Sequence, residues 1–133
     1  MDKDELQDIV AMTQEYQARA GIYQQQLALI DVSLGECESA IKTLEELENK
    51  KAGEELLVPI GAGVYMHATI TRADDVLMEL GASISAEKNI TEAKDALVKR
   101  KTQLGKTHEH LGKSLREIYD EMQKLQMKAA QYR

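Results

Sequence analysis

The chain contains no phenylalanine and no tryptophan, and five tyrosines are its only aromatic residues. A compact domain of 133 residues normally fills its centre with large aromatic rings. Their absence, beside a charged content of 30%, argues against a globule and suits a thin structure that buries a seam. A single cysteine excludes an internal disulfide and points to a reducing cytosol. Long apolar runs are missing too, since no stretch approaches the roughly 20 apolar residues that cross a bilayer. The acidic start, Met1-Asp2-Lys3-Asp4-Glu5, has no apolar signal-peptide core. These absences predict a cytoplasmic protein with no membrane partner. Basic residues are outnumbered 17 to 23, for a formal charge of −6, which disfavours a nucleic-acid partner.

What is present is a long, unbroken 3,4 spacing of apolar residues. Over 6–48 one set of positions is Leu6, Thr13, Ala20, Leu27, Leu34, Ile41 and Glu48. The other is Ile9, Tyr16, Tyr23, Ile30, Cys37 and Leu44. A 3.5-residue period held this long marks a coiled coil. Lys50, Lys51 and Gly53 read as late cations and a helix stop. A second run, 90–132, carries Ile90, Leu97, Leu104, Leu111, Ile118, Leu125 and Tyr132 on one seam line. Its companion line begins polar, with Lys94, Lys101 and His108, and ends with Leu115, Met122 and Ala129. Asn89 followed by Glu92 fits a cap for this helix, with a start one turn earlier as the alternative.

Equal helices joined through a short middle imply an antiparallel hairpin. Aligned end to end, facing residues have numbers summing to 138, so that Ile41 faces Leu97 and Ala20 faces Ile118. A slip of one heptad is the rival register. Gly21, Gly35, Gly105 and Gly112 each cost about 1 kcal/mol relative to alanine inside a helix. They read either as tolerated surface positions or as places where the coiled coil bends.

The middle switches to period-2 patterning, which reads as strand. Val64, Met66, Ala68 and Ile70 alternate with Tyr65, His67 and Thr69. Val76, Met78 and Leu80 alternate with Leu77 and Glu79, and Ile84 continues the pattern between Ser83 and Ser85. Leu56-Leu57-Val58 before the only proline, Pro59, reads as a first strand, and Gly61-Ala62-Gly63 and Gly81-Ala82 as tight turns. The reading is two β-hairpins linked through Arg72-Ala73-Asp74. Isolated hairpins are marginal in water and their open edges invite pairing, so this segment needs strands from other chains. The strand residues expected to carry oligomerisation are Leu57, Val58, Ile60, Val64, Met66, Ala68, Ile70, Val76, Met78, Leu80 and Ile84.

The fold class expected is therefore mainly α with a small β segment. A single domain over 1–133 divides into an N-terminal coiled-coil helix (1–52), two β-hairpins (54–86) and a C-terminal coiled-coil helix (87–133).

A constellation for catalysis is not found. His108 and His110, two apart, point to different faces of a helix and cannot share a metal as an i, i+4 pair does. Cys37 reads as a small buried hydrophobe rather than a reactive thiol. Gly61-Ala62-Gly63 lacks the remainder of any phosphate-binding loop, so it is a turn. The basic stretch from Lys94 to Lys113 meets Glu36, Glu38, Glu45, Glu46 and Glu48 at matching height, which favours helix pairing over a nucleic-acid patch. No catalytic residue, metal or cofactor is assigned, and the chain reads as a non-enzyme.

The remaining candidates lie at the helix ends. Ile9, Val10 and Met12 near one terminus, and Met122, Leu125, Met127, Ala130 and Tyr132 near the other, combine flexible Met and Leu side chains. They read either as ordinary seam-flanking residues or as an adaptable apolar surface for partners without a fixed shape.

Leu57-Val58-Pro59-Ile60-Gly61-Ala62-Gly63-Val64-Tyr65 resembles the first β-hairpin of prefoldin subunits. Val76-Leu77-Met78-Glu79-Leu80-Gly81-Ala82, followed by Ala86-Glu87-Lys88, resembles the second hairpin and the entry to the last helix of the family's α class. The resemblance implies a hexamer of two α and four β subunits whose hairpins form a β-barrel platform bearing coiled-coil tentacles. It further implies an ATP-independent holdase that grips unfolded client proteins at the tentacle tips and delivers them to a group II chaperonin. Carried onto this chain, the tips are Met1 to about Met12 and about Met122 to Arg133. A scaffold that holds folded partners through the same barrel is the alternative function.

Overall fold

A computed structural model describes residues 2–132. Met1 and Arg133, the outer limits of the expected tips, lie outside the described residues. The elements in order are α1 (Lys3–Leu47), β1 (Glu55–Gly61), β2 (Val64–Thr69), β3 (Asp75–Gly81), β4 (Ile84–Asn89) and α2 (Ile90–Ala130). The chain divides into two compact units, one comprising the segments up to Gly35 and from Thr102, the other Glu36–Lys101.

In the first unit the seam follows the heptad. Ile9, Ala20 and Ile118 are buried, and Leu6, Thr13, Tyr16, Tyr23, Leu27, Ile30, Leu34, Leu104, Leu111, Leu115, Met122, Leu125 and Ala129 are half-buried. The Nε2 of His108 lies 2.9 Å from Oδ1 of Asp31, and the side-chain amide of Gln24 donates to the Tyr119 hydroxyl. Asp2 starts α1, its carboxylate accepting the Glu5 N–H at 2.8 Å, which supplies one of the unmet donors of a first helical turn.

In the second unit Cys37, Leu44, Ile90 and Leu97 of the heptad lines are buried, and so is Ala93, which lies on neither line. Lys101 pairs with Glu38 at 3.3 Å and Lys94 with Glu48 at 3.0 Å. Asp31 with His108 and Glu38 with Lys101 both sum to 139, Glu48 with Lys94 to 142 and Gln24 with Tyr119 to 143, so the pairs lie one to five above the expected 138, within less than a heptad. The polar half of the α2 seam line thus lays its side-chain stems in the seam and carries its polar heads to carboxylates beside it. Of the five glutamates expected to face the basic stretch, Glu38 and Glu48 make such pairs.

One helix boundary departs from expectation, and the other falls on one of its two expected starts. α1 ends at Leu47, short of 52, and Lys50 N–H closes a tight turn onto the Leu47 carbonyl at 3.0 Å. Glu45 and Glu46 sit in the last turn with no basic residue there, where the negative end of the helix dipole disfavours carboxylates. Gly53 therefore does not stop the helix. It enters the first hairpin at φ 92°, its N–H bonded to the Ile70 carbonyl at 2.8 Å. At the other boundary β4 continues to Asn89 and α2 starts at Ile90, not at 87. Asn89 accepts the Glu92 N–H and donates back to the Glu92 carboxylate, both at 2.8 Å. That reciprocal cap holds the start at Ile90.

The two hairpins form separate two-stranded antiparallel sheets, β1–β2 and β3–β4. Ala62-Gly63 and Ala82-Ser83 are their two-residue turns, all four at positive φ between 49° and 78°. This geometry matches the right-handed twist of the flanking strands. Gly61 and Gly81, at φ 120° and 108°, sit where the register shifts, one bulge per hairpin. Arg72 joins Asp75 and Glu87, tying the link between hairpins to the second one.

Candidate interaction surfaces

Two groups of apolar residues remain open in the single chain, and the first is on the hairpins. Strand register pairs Leu56 with Ala68 and Val58 with Met66 on one face of β1–β2, with Leu57 opposite His67 on the other. Leu56, Ala68 and Ile70 are half-buried, whereas Leu57, Val58, Ile60, Val64 and Met66 are exposed. On β3–β4 the pairs Val76–Lys88 and Met78–Ala86 form the half-buried face. Met78 lines a cleft of about 420 Å³ with Leu44, Ala93 and Leu97, so part of that face is already covered within the unit. Leu80 and Ile84, beside the turn, are exposed.

The expected oligomerisation residues therefore fall into two kinds. Ala68, Ile70, Val76 and Met78 are partly covered by the chain itself, and the rest face outward. Leu57 lies on the opposite face from Val58 and Met66, so the strand residues do not make one surface. Leu77, 70% exposed, and Tyr65 were not anticipated. Each interrupts the alternation with an apolar residue on the second face, in Val76-Leu77-Met78 and Val64-Tyr65-Met66. Those continuous triplets are the signal for a strand with two apolar faces.

The second group is at the helix ends in the first unit. Ile9, Val10, Met122 and Leu125 line an open cleft of about 410 Å³, bordered by Gln14 and Ala129. Ile9 is buried at its floor, Met122 and Leu125 are half-buried walls, and Val10 is exposed at its edge. Met12 and Met127 are exposed but do not line the cleft. Ala130 is the last helical residue and Tyr132 lies in the turn beyond it, both exposed. Four of the eight expected tip residues are thus gathered in one place. No group of three metal-binding side chains occurs among the described residues, and no helix there is long and apolar enough to cross a membrane.

The model of prefoldin subunits matches residues 16–132. The chain belongs to the prefoldin subunit family. Prefoldin subunit alpha of Methanosarcina mazei is 36% identical over 130 residues, covering 96% of this chain and 92% of the relative. The prefoldin subunit alpha of Methanococcoides burtonii is 35% identical over 116 residues, covering 87% and 84%. These relatives place the chain in the α class of prefoldin. The fold is matched by the filamentous PFD of Methanocaldococcus jannaschii at a TM-score of 0.74 and 21% identity, covering 89% of this chain and 98% of that one. Prefoldin is a chaperone family, and membership in it supports assembly of this chain with other prefoldin subunits.

Proposed function

We propose that the chain is the α subunit of a holdase that grips unfolded polypeptides at its helix ends, without nucleotide, and passes them to a group II chaperonin. The observation that carries this reading is the cleft formed by Ile9, Val10, Met122 and Leu125. It is apolar, shallow and bordered by methionine, so it adapts to many side chains without binding any tightly. Such a site is useful only in several copies, where linked weak contacts raise avidity by orders of magnitude. The exposed strand faces supply the means of linking copies, because a two-stranded hairpin with this much open apolar surface is stable only when other strands cover it. The proposed assembly is a hexamer of two such chains with four β-class subunits, located in the cytoplasm.

The test is suppression of aggregation of a chemically denatured enzyme by the assembled complex in the absence of ATP. Deleting 1–10 and 123–133 is expected to abolish suppression while the mass of the complex shows the same subunit count. Undiminished suppression by that truncated complex rejects the cleft as the client site.

A further inference from the structure

The first unit carries a third apolar feature that neither the seam nor the strand faces use. Residues 20–30 contain no charged side chain, in a chain where 30% of residues are charged. Ile22, Leu29 and Val32 in and beside this run are 52%, 70% and 61% exposed. With Gln14, Ala18 and Gln25 they recur at an average spacing of 3.6, so they form one stripe along one face of α1. Glu36 falls on the same line and ends it. The exposed face of α2 in the same unit is different in kind, carrying Lys106, Glu109, Lys113, Arg116, Glu117 and Asp120. A face that merely meets water would look like that one.

Three observations choose the occupant. The stripe is continuous with the cleft, because Gln14 both borders the cleft and heads the stripe. It carries no charge to orient a folded partner. Its three large side chains expose roughly 300–400 Å² between them, against about 800 Å² per partner in a standard stable interface, so it cannot hold a second copy of the chain by itself. From residue 14 to residue 32 the stripe spans ~27 Å of helix, the length of roughly eight residues of extended chain.

We propose that this stripe is a second contact surface for unfolded polypeptide, taking an extended apolar segment of about eight residues that continues from the cleft along α1. The proposal rests on the holdase reading above and assigns it a longer contact than the helix ends alone. A client segment lying here gains contacts without ordering any part of the chaperone, since the stripe is on one rigid helix.

The experiment uses the complex assembled with its β-class partner, and reduced, carboxymethylated α-lactalbumin as a permanently unfolded probe. Binding is followed by fluorescence anisotropy for the wild type, for the triple variant Ile22→Gln, Leu29→Gln, Val32→Gln, and for the end-truncated complex. The triple variant is expected to raise Kd about tenfold, which is about 1.4 kcal/mol. Native α-lactalbumin is expected to bind none of the complexes. If the triple variant binds like the wild type while truncation weakens binding, the stripe proposal is overturned and the cleft reading stands. If truncation is neutral and the triple variant weakens binding, the cleft reading fails and the stripe remains. A photo-crosslinking residue at position 29, in place of the leucine, is expected to capture the unfolded probe even where the triple variant fails to assemble. Capture of another copy of the chain instead overturns the proposal.

Discussion

Replacing Ile118 by alanine tests the seam most directly. Ile118 is 5% exposed and lies with Tyr16 and Tyr23 along one cleft of the first unit. Ile118→Ala removes three carbon groups, worth about 2.4 kcal/mol at roughly 0.8 kcal/mol per buried methylene. A cavity term adds to this, but a two-helix seam lies close to water and relaxes more readily than a globular core. The expected cost is therefore about 3 kcal/mol, in the lower half of the range for such truncations. For a chain of this length that lowers the thermal midpoint by roughly 10 °C. Ile22→Ala removes the same atoms from a side chain already 52% exposed, and its expected cost is under about 1 kcal/mol. The assay is helicity against temperature for both variants and the wild type in the assembled complex. Protein concentration is held equal, because assembly couples midpoint to concentration. Equal losses from the two substitutions would refute the assignment of Ile118 to the seam and Ile22 to an open face.

Asn89→Ala removes a reciprocal cap and is expected to cost about 1 kcal/mol, read as an earlier urea midpoint, whereas Asn89→Ser, which still accepts the Glu92 N–H, keeps most of the stability. Ser83 occupies a turn position at φ 64°, so Ser83→Gly relieves a left-handed strain of about 1 kcal/mol and raises the thermal midpoint, while Ser83→Val lowers it. The Lys94 ammonium is held above its ordinary value of 10.5 by its hydrogen bond to Glu48, against the opposing effect of burial and with added help from Glu45 and Asp95. A raised lysine contributes its stabilisation in full below 10.5 and loses it as pH rises through the folded value. The wild type is therefore expected to lose midpoint above pH 10.5 more steeply than Lys94→Met, and parallel curves for the two proteins would contradict the pairing.

The seam was legible because burying one stripe of a long helix against another requires an apolar residue every 3.5 positions. Ile9, Cys37, Leu97 and Ile118 were identifiable from spacing alone, and they are buried. The second helix start was legible for the same local reason, since Asn89 and Glu92 meet each other within one turn. Hairpin positions were set by glycines that supply turn and bulge geometry within a few residues of chain.

What required the tertiary structure was everything that depends on a neighbour distant in sequence. The end of α1 was misplaced because Gly53 looks like a helix stop, and only its bond to Ile70 shows that it opens a hairpin. Period-2 alternation divides a strand into two faces but does not say which face is covered. Both Met78 and Leu77 border the cleft with Leu44 and Leu97, yet Met78 is half-buried there and Leu77 stays 70% exposed. At the helix ends, composition pointed to eight apolar residues, and helix pairing selected Ile9, Val10, Met122 and Leu125 as one cleft. Periodicity is a property of one helix or strand and is written along the chain. A surface is a property of two elements placed side by side, and no single stretch of sequence contains it.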